Sequence, residues 1–513
     1  MIPRLIIAGA GSGKTTDMVE EIMSALPSLN RNRVLATITY TNSAADTIKE
    51  RLAQKIYIPQ NVFIGTIHKF LNQFIVIPFA SLFGQAGLDK LFLDIDVEKM
   101  AEQNIKVSKA APNYFAIKNS VRSKITEALV MDGKIPLNQI SGIAVQLLEN
   151  KEIRATVCNR LQYLFIDEFQ DVDTTQYQIF EHIRKGNRTL IYAVRDPEQY
   201  IMGFTYRGKK RPSFADLPIN RFPAERIPKK ENYRSHKPIV DFVNHFHTEI
   251  QQESKRGDNP VSKVVFIESL DLNEIVRAYQ ALCSGTSYEK PPLHFYLSFE
   301  NKTFEQAMQF GLTPLVAERT SFKTTLETAL EIICGIVGLT KKQISERYKL
   351  ESLQIRKMGI DLLKKIAEGK IVDKPSLMNF IAGELRLEPN LIDSSIGDDL
   401  LHSLRLIMRG GKNLSTNHQF SSIHKAKGLE ADTVLVLAKT NKELTNWLIL
   451  NKDERISNKD DSCRIGYVAF TRAKILLCIS CLEKVSDENR KTLEGLSVSF
   501  IKSISEPKQA TLP

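Results

Sequence analysis

Cysteine is scarce in this sequence, and long apolar runs are missing. Six cysteines in 513 residues are too few for a disulfide scaffold, and a cytoplasmic chain keeps its thiols reduced. No uninterrupted apolar run approaches the roughly 18 residues of a membrane span. The glycines from Gly9 onward interrupt any secretory apolar region. These absences predict a soluble, cytoplasmic protein with no membrane partner.

Metal and redox motifs are equally sparse. Cys478 and Cys481 form a lone C-x-x-C within "ILLCISCL", without the second pair or thioredoxin-like context that a metal or redox site needs. A buried strand is the favoured interpretation, because free cysteine packs as a small hydrophobe. No nuclease motif, internal repeat or low-complexity segment is evident.

Length and charge limit what is present. A chain of 513 residues has room for three or four domains at roughly 100–200 residues each. Lysine and arginine exceed aspartate and glutamate by 70 − 59 = 11. An excess of basic charge favours a polyanionic partner such as nucleic acid, although many basic proteins bind none.

The first motif is a glycine-rich loop. The apolar run Leu5–Ala8 leads into "GAGSGKTT", which opens an apparent helix. This order is typical of a P-loop, in which glycines let backbone N–H groups face a phosphate. The helix adds its positive N-terminal end. Lys14 is then the ligand of the β/γ-phosphates, and the Thr15 hydroxyl is a Mg²⁺ ligand. A chance glycine loop is the alternative.

A second strand ends in acidic residues, as a P-loop enzyme requires. "LQYLFIDEFQD" (161–171) places Asp167 and Glu168 after an apolar strand, at the edge where parallel sheets bind ligands. Asp167 is the expected partner of Mg²⁺, and Glu168 the residue that orients or deprotonates the attacking water.

Eight segments, including these two, resemble the motifs of superfamily 1A DNA helicases of the UvrD/PcrA/Rep type, and they follow that family's order. They are "AGAGSGKT" (8–15), "TYTNSAADTIKERL" (39–52), "GTIHKF" (65–70), "DEFQD" (167–171), "AVRDPEQYIMGFTYRG" (193–208), "ENYRS" (231–235), "SIHKAKGLEA" (422–431) and "YVAFTRAK" (467–474). A single match is weak, whereas the ordered set is specific.

The resemblance implies roles for the matching residues. Gln199 is implied to sense the γ-phosphate, Arg234 and Arg472 to be arginine fingers, and Tyr233 to stack on the base. The implied ATP (or other NTP) site comprises Ala8, Gly9, Ala10, Gly11, Ser12, Gly13, Lys14, Thr15, Thr16, Tyr233, Gly428 and Glu430. The implied DNA-contacting residues are Tyr40, Thr41, Asn42, Thr66, His68, Phe204, Tyr206 and His424. A metal held by His68 and His424 is disfavoured, because they belong to different domains.

The sequence also departs from the family pattern. No glutamine precedes the first strand to read the adenine edge, so base discrimination is expected to be relaxed. Arg195 replaces a glycine, Met202 a tyrosine, and Ala431 an aromatic residue. Tyr206 is one candidate for the lost stacking surface. ATP hydrolysis is thus a firmer expectation than processive unwinding.

The implied fold is α/β, with two RecA-like parallel-sheet motor domains that each carry a helical insertion. Domain 1A is predicted at residues 1–71 and 156–222, with insertion 1B at 72–155. Domain 2A is predicted at 223–335 and 415–513, with insertion 2B at 336–414. Both insertions are small for the family, which suggests a motor that works as a subunit.

The predicted function is ATP-driven translocation or unwinding of single-stranded or tailed double-stranded DNA, with 3′→5′ polarity by resemblance. The stretch 63–84 also resembles the helicase-like subunit of Gabija anti-phage systems, which implies an OLD-family nuclease partner. One alternative is an NTPase that senses DNA ends or single strands and activates a nuclease without unwinding. A non-catalytic scaffold is the other.

Overall fold

A computed structural model describes residues 2–83, 97–105, 114–131, 139–201, 213–257, 261–286, 288, 291–315, 325–337, 339, 341–371, 373–389, 417–459 and 461–502. The chain divides into two compact units. One comprises Met1–Ala317 with Asn417–Pro513, and the other comprises Glu318–Thr416. None of the helices in the described ranges is both long and apolar enough to cross a bilayer.

The first unit begins with a parallel sheet. Its strands are β1 (Arg4–Ala8), β2 (Val34–Thr39), β3 (Val62–Thr66), β4 (Leu161–Ile166), β5 (Leu190–Arg195) and β6 (Glu225–Lys229). They lie in the order β3-β2-β4-β5-β1-β6, and every neighbouring pair is parallel. Strand β6 carries this sheet beyond the predicted domain end at residue 222.

Both faces of this sheet are buried, which explains why its strands read as continuous apolar runs. Along β1, Leu5 and Ile7 pack into one core cluster, whereas Ile6 and Ala8 pack into another on the opposite face. This alternation follows from the two-residue repeat of a strand.

Helices cover the sheet, and several begin at a capping side chain. The Thr41 hydroxyl accepts a hydrogen bond from the Ala44 N–H, and Asp173 forms a capping box with Gln176. The helices are α1 (Lys14–Ala25), α2 (Asn42–Ala53), α3 (Ile67–Leu71), α4 (Val97–Asn104), α5 (Tyr114–Met131), α6 (Ile140–Glu149), α7 (Lys151–Arg160) and α8 (Thr174–Lys185). Helices α3 to α7 follow β3 and precede β4. The predicted insertion 1B also includes residues outside the described ranges.

A second parallel sheet follows a short ribbon of β7 (Glu231–Asn232) and β8 (Glu253–Ser254). The strands of this sheet are β9 (Lys263–Glu268), β10 (His294–Ser298), β11 (Thr313–Pro314), β12 (His418–Ser422), β13 (Ala431–Ala438), β14 (Ala473–Cys481) and β15 (Ser499–Lys502). They are ordered β11-β12-β10-β13-β14-β9-β15. Helices α9 (Lys237–Asn244) and α10 (Leu272–Ser284) flank its first strands.

The second unit is helical among its described residues. It contains α11 (Thr325–Val337), α12 (Lys341–Tyr348), α13 (Ser352–Ala367) and α14 (Lys374–Asn379). Ala329, Ile333, Leu362 and Phe380 belong to its own apolar core.

The chain then returns to the second sheet and adds α15 (Asn441–Trp447), α16 (Lys452–Ser457), α17 (Ser462–Phe470) and α18 (Asp487–Gly495). Phe266 and Trp447 pack on one face of the sheet, and Val265 and Tyr279 on the other. Cys478 and Cys481 are free thiols buried in β14, which confirms the strand prediction. The predicted fold class, two parallel-sheet domains with helical insertions, is also confirmed.

Candidate functional site

The glycine-rich loop connects β1 to α1 at the carboxyl edge of the first sheet. Gly11 and Gly13 have φ angles of +77° and +81°, a left-handed conformation that glycine adopts without strain. A Cβ atom on Gly11 would lie 2.7 Å from the Arg234 Cβ, so the close approach also demands glycine. The Ser12 hydroxyl donates to the Gly9 carbonyl at 2.8 Å. Helix α1 therefore starts at Lys14 with its N-terminus open toward a ligand.

Lys14 faces a buried carboxylate. Its Nζ lies 3.9 Å from Asp196 Oδ2 and 3.5 Å from the Ala8 carbonyl. Burial acts to raise the pKa of Asp196, but Lys14 and hydrogen bonds from His247 and Gln199 outweigh it and lower that pKa to about 2. Sequence reasoning gave Asp196 no role, although it lies within one of the family-like segments. The signal in the sequence that could have identified Asp196 is its position directly after the strand β5.

Asp167 and Glu168 follow β4 at the same edge. Burial and the adjacent Glu168 raise the pKa of Asp167 to about 7. For Glu168, burial opposes ionisation, but Lys14 and Lys427 lower its pKa below the ordinary value. Glu168 has a φ of +50°, which is unusual for a residue with a side chain, and it accepts a hydrogen bond from Gln170.

The donor set fits Mg²⁺. A buried carboxyl whose pKa is raised lacks enough neighbouring positive charge, and Mg²⁺ binds through oxygen ligands together with phosphates. The Thr15 hydroxyl and the Asp167 carboxyl offer oxygen atoms of this kind.

Two guanidinium groups from the region of the second sheet reach the same space. Arg234 Nε donates to Glu430 Oε2 at 2.7 Å, and its Nη1 donates to the Thr471 carbonyl at 3.0 Å. Burial opposes the ionisation of Glu430, but Arg234 and Lys474 lower its pKa to about 2.

Arg472 follows α17 and is 1% exposed. It donates to the carbonyls of Val468 and Leu429 at 2.8 and 3.0 Å and to the Thr471 hydroxyl at 2.8 Å. Burial, followed by the charge of Arg234, lowers the pKa of Arg472 to about 9. All of these acceptors are neutral, so an incoming anion would relieve the buried charge.

These groups surround one cavity of about 940 Å³, near the upper end for small-molecule sites. Of the predicted residues, its lining includes Ala10, Gly11, Ser12, Gly13, Lys14, Thr15, Thr16, Glu168, Gln199, Tyr233, Arg234, Gly428, Glu430 and Arg472. Ala8 ends β1 and Gly9 begins the loop, and Asp167 is buried beside Glu168. The structure thus brings together residues that are hundreds of positions apart in sequence.

The cavity also has lining residues that sequence reasoning missed, among them Arg51, Arg256 and Lys474. Arg51 Nη1 donates to the Thr16 hydroxyl at 2.9 Å. Tyr233 is 57% exposed, and Lys229 Nζ lies 5.7 Å from its ring centroid while pairing with Asp17. Positive charge beside an exposed aromatic ring is the feature that marks this end of the cavity.

Ionic contacts join the loop after β5 to the second sheet's region. Glu198 and Arg455 are both buried and lie 2.5 Å apart. The Arg195 guanidinium, at the position of the family's glycine, bonds Asn220 at 2.7 Å and Glu249 at 2.5 Å. Arg195 is therefore held in place by these two side chains, which gives it a structural role.

The predicted DNA-contacting residues occupy the carboxyl edges of both sheets. Thr41 and Asn42 begin α2 after β2, Thr66 ends β3, and His68 lies in the first turn of α3. Tyr40 packs against the first core, and its hydroxyl donates to Gln176 at 2.8 Å. His424 follows β12. Phe204 and Tyr206 lie outside the described residues.

Two parallel sheets with a P-loop on one side of a cleft and arginines on the other define a two-domain P-loop NTPase. Comparisons with known families agree: residues 3–205 match an AAA domain, and residues 394–484 match the UvrD-like helicase C-terminal domain. The chain belongs to the UvrD-like superfamily 1 helicases.

Individual relatives differ in how much of the chain they match. The chain is 23% identical to Gabija protein GajB of Bacillus cereus, over 98% of this chain and 97% of that protein. It is 28% identical to the ATP-dependent DNA helicase Rep of Escherichia coli over 47% of this chain and 40% of Rep. For the ATP-dependent DNA helicase PcrA of Staphylococcus aureus the identity is 27%, over 47% of this chain and 37% of PcrA. The chain thus spans nearly all of GajB but under half of Rep and PcrA.

Proposed function

We propose that this protein is an ATP-dependent DNA translocase or helicase that hydrolyses ATP in the cleft between its two parallel-sheet domains. One observation carries the proposal: Arg234 and Arg472 line the same cavity as Lys14, Glu168 and Gln199. Positive groups on both walls of a cleft suit a triphosphate whose charge grows in the transition state.

Each wall has a distinct task in this proposal. The loop N–H groups and Lys14 hold the phosphates, while Thr15 and Asp167 hold Mg²⁺, which neutralises phosphate charge when bound. Glu168 orients or deprotonates the attacking water. Its pKa lies below the ordinary value, so it is ionised at neutral pH as a base must be.

Two arginines of the second wall and a glutamine of the first wall respond to the nucleotide. Arg234 and Arg472 place fixed positive charge against the transferred phosphoryl group. Gln199 Nε2 donates to Asp196 at 2.7 Å, and Asp196 in turn faces Lys14. Gln199 therefore shares a carboxylate with the phosphate-binding lysine, which suits a sensor of the γ-phosphate.

The finer parts of the function rest on resemblance. Movement in the 3′→5′ direction on single-stranded or tailed DNA follows the UvrD-like family. The full-length similarity to Gabija protein GajB supports a role in cytoplasmic anti-phage defence beside an OLD-family nuclease.

A second candidate is an NTPase that senses DNA and activates a nuclease without unwinding. Two observations favour it, because both reduce the surface available to hold a DNA strand. Ala431, at the position where the family has an aromatic residue, is buried at the start of β13. The Tyr40 hydroxyl donates a hydrogen bond to Gln176.

The test is ATPase activity of the full chain with and without single-stranded DNA, followed by strand separation on a 3′-tailed duplex. Stimulation with strand separation supports the helicase, and stimulation without it supports the sensor. A 5′-tailed duplex is the matched control for polarity. Absence of any ATPase activity, with and without DNA, would overturn both and favour a scaffold.

A further inference from the structure

An aromatic side chain unassigned to any function stands at the carboxyl edge of the second sheet. Phe299 directly follows β10 and is 47% exposed. Its ring centroid lies 5.6 Å from that of His424, with the two planes at 75°. An isolated exposed aromatic residue is ordinary, but this one lies edge-on against a residue already expected to contact DNA.

The position of Phe299 is fixed by its neighbours in sequence. The buried Ser298 hydroxyl donates to the Glu300 carbonyl at 2.7 Å. The Ile423 N–H donates to the Ser298 carbonyl at 2.9 Å, next to the parallel pairing of Ser298 with Ser422. Two adjacent strands therefore hold Phe299 and His424 side by side on rigid backbone, so the ring is presented at little conformational cost.

The surrounding charge suits a nucleic acid. Glu300, the acidic residue next to Phe299, pairs with Lys439 at 2.6 Å, which offsets its negative charge. Lys425, beside His424, is exposed. An aromatic face near available positive charge is the combination that single-stranded nucleic acids use, because bases stack while the backbone meets cations.

We propose that Phe299 and His424 together form a base-stacking platform for single-stranded DNA on the second motor domain. The inference rests on the proposed function, since it names a contact for the same substrate. It also supplies an aromatic surface on the second motor domain. In that domain, the position where the family has an aromatic residue is occupied by the buried Ala431.

A tryptophan probe tests the platform directly. Trp447, the only tryptophan in the sequence, is 1% exposed, so Phe299→Trp adds a second, solvent-exposed emitter to the full-length protein. Titration with a single-stranded oligothymidylate should quench that added emission, because a stacked base quenches indole. An unquenched signal at saturating oligonucleotide would overturn the proposal.

Affinity measurements give an independent result. Phe299→Ala should weaken oligothymidylate binding by roughly five- to a hundredfold, the range for loss of one stacked base, while Phe299→Tyr should keep most of it. Met308→Ala removes a side chain of the same domain that is 48% exposed and should bind as wild type does. Thermal unfolding of each variant checks that the fold persists.

The outcomes separate the two proposals. If wild-type protein binds the oligonucleotide but Phe299→Ala binds equally well, the platform is wrong and the proposed function stands. If wild type binds no DNA in any nucleotide state, the proposed function fails as well. Quenching of the added emission in the Phe299→Trp variant by raising the concentration of the protein itself, but not by DNA, would make this surface a contact between copies of the chain and overturn the proposal.

Discussion

Lys427 and Asp171 join the two walls of the nucleotide cleft. Lys427 Nζ lies 2.5 Å from Asp171 Oδ2, and both side chains are largely buried. Asp171 closes the segment that begins with the Asp167–Glu168 pair, and Lys427 precedes Gly428 of the cavity lining. The charge of Lys427 also lowers the pKa of Glu168, so this ion pair connects the position of the second domain to the ionisation of the proposed base.

Removing Lys427 should destabilise the fold and slow catalysis. Lys427→Ala leaves Asp171 buried without its cation, a loss expected to lower the free energy of unfolding by about 3 kcal/mol. Denaturant unfolding measures this. Lys425→Ala, which alters an exposed lysine of the same turn, is the control, and the double variant Asp171→Asn with Lys427→Met should recover part of the loss. Equal stability of the Lys425 and Lys427 variants would contradict a structural role for the pair.

Lys14→Ala should abolish nucleotide turnover while the fold persists. Loss of a group that contacts the transferred phosphates is expected to reduce kcat by about a hundredfold or more. Lys49→Ala, an exposed lysine of α2, should behave as wild type. Circular dichroism tests whether the fold persists, and a phosphate-release assay measures nucleotide turnover. Unfolding of the Lys14 variant would count against a phosphate ligand and in favour of a structural lysine.

Glu168→Gln should separate nucleotide binding from hydrolysis. The amide keeps the size of the side chain but removes the base, so ATP affinity should stay within several-fold while kcat falls by about a hundredfold or more. Fluorescent-nucleotide binding and single-turnover hydrolysis provide the two readouts. Hydrolysis at the wild-type rate would assign the base to another residue.

Nucleotide selectivity should be weak. Among the described residues that line the cavity, the one glutamine is Gln199, and its amide donates to Asp196 beside Lys14 rather than facing a base, so GTP or dATP should support turnover within about tenfold of ATP, or roughly 1.4 kcal/mol. The comparison is of kcat/KM values for the three nucleotides. Strict selectivity for ATP would show that another group, such as Arg51 at the cavity wall, reads the base.

The stability of the second domain should depend on pH through His294. Burial, and then the stacked His418, lower the pKa of His294 to about 4, against about 6.5 for an unfolded histidine. Between these values the unfolded state binds more protons, so the free energy of unfolding falls as the pH drops from about 6.5 toward 4. Linkage gives a loss of about 2 kcal/mol at pH 5 relative to pH 7.5.

Denaturant titrations at the two pH values check this expectation. His294→Gln removes the titrating group and should show a smaller loss between pH 7.5 and pH 5. His245→Gln, which changes an exposed histidine, should retain the wild-type dependence. If the free energy of unfolding of the His294 variant depends on pH as strongly as that of wild type, another titrating group causes the effect.

The sequence predicts well what depends on local chain geometry. The P-loop is recognisable because its glycines, lysine and threonine must be adjacent for the backbone to wrap a phosphate. The acidic residues after β4 follow from the binding edge of a parallel sheet. The placement of Arg234 and Arg472 opposite Lys14 was inferred from the order of family motifs, because nothing local in either arginine indicates it.

What escaped prediction depends on contacts between distant segments. Glu198 meets Arg455 across 257 positions, and neither residue stands out in sequence from any other surface charge. Asp196 reaches Lys14 only because β5 pairs with β1. In the sequence Phe299 is one more apolar residue, and its place beside His424 depends on the register between β10 and β12. Such roles arise from tertiary packing, which a single sequence does not display.

The helical unit interrupts the second sheet at a favourable point. The chain leaves after β11, at the edge of the sheet, and resumes at β12, its immediate neighbour, where the Leu315 N–H donates to the Phe420 carbonyl at 2.7 Å. The strands on either side of the helical unit are thus hydrogen-bonded to each other, whatever the structure of the segment between them. An insertion at this point can therefore differ in length or structure without changing the order of the strands that carry the nucleotide site.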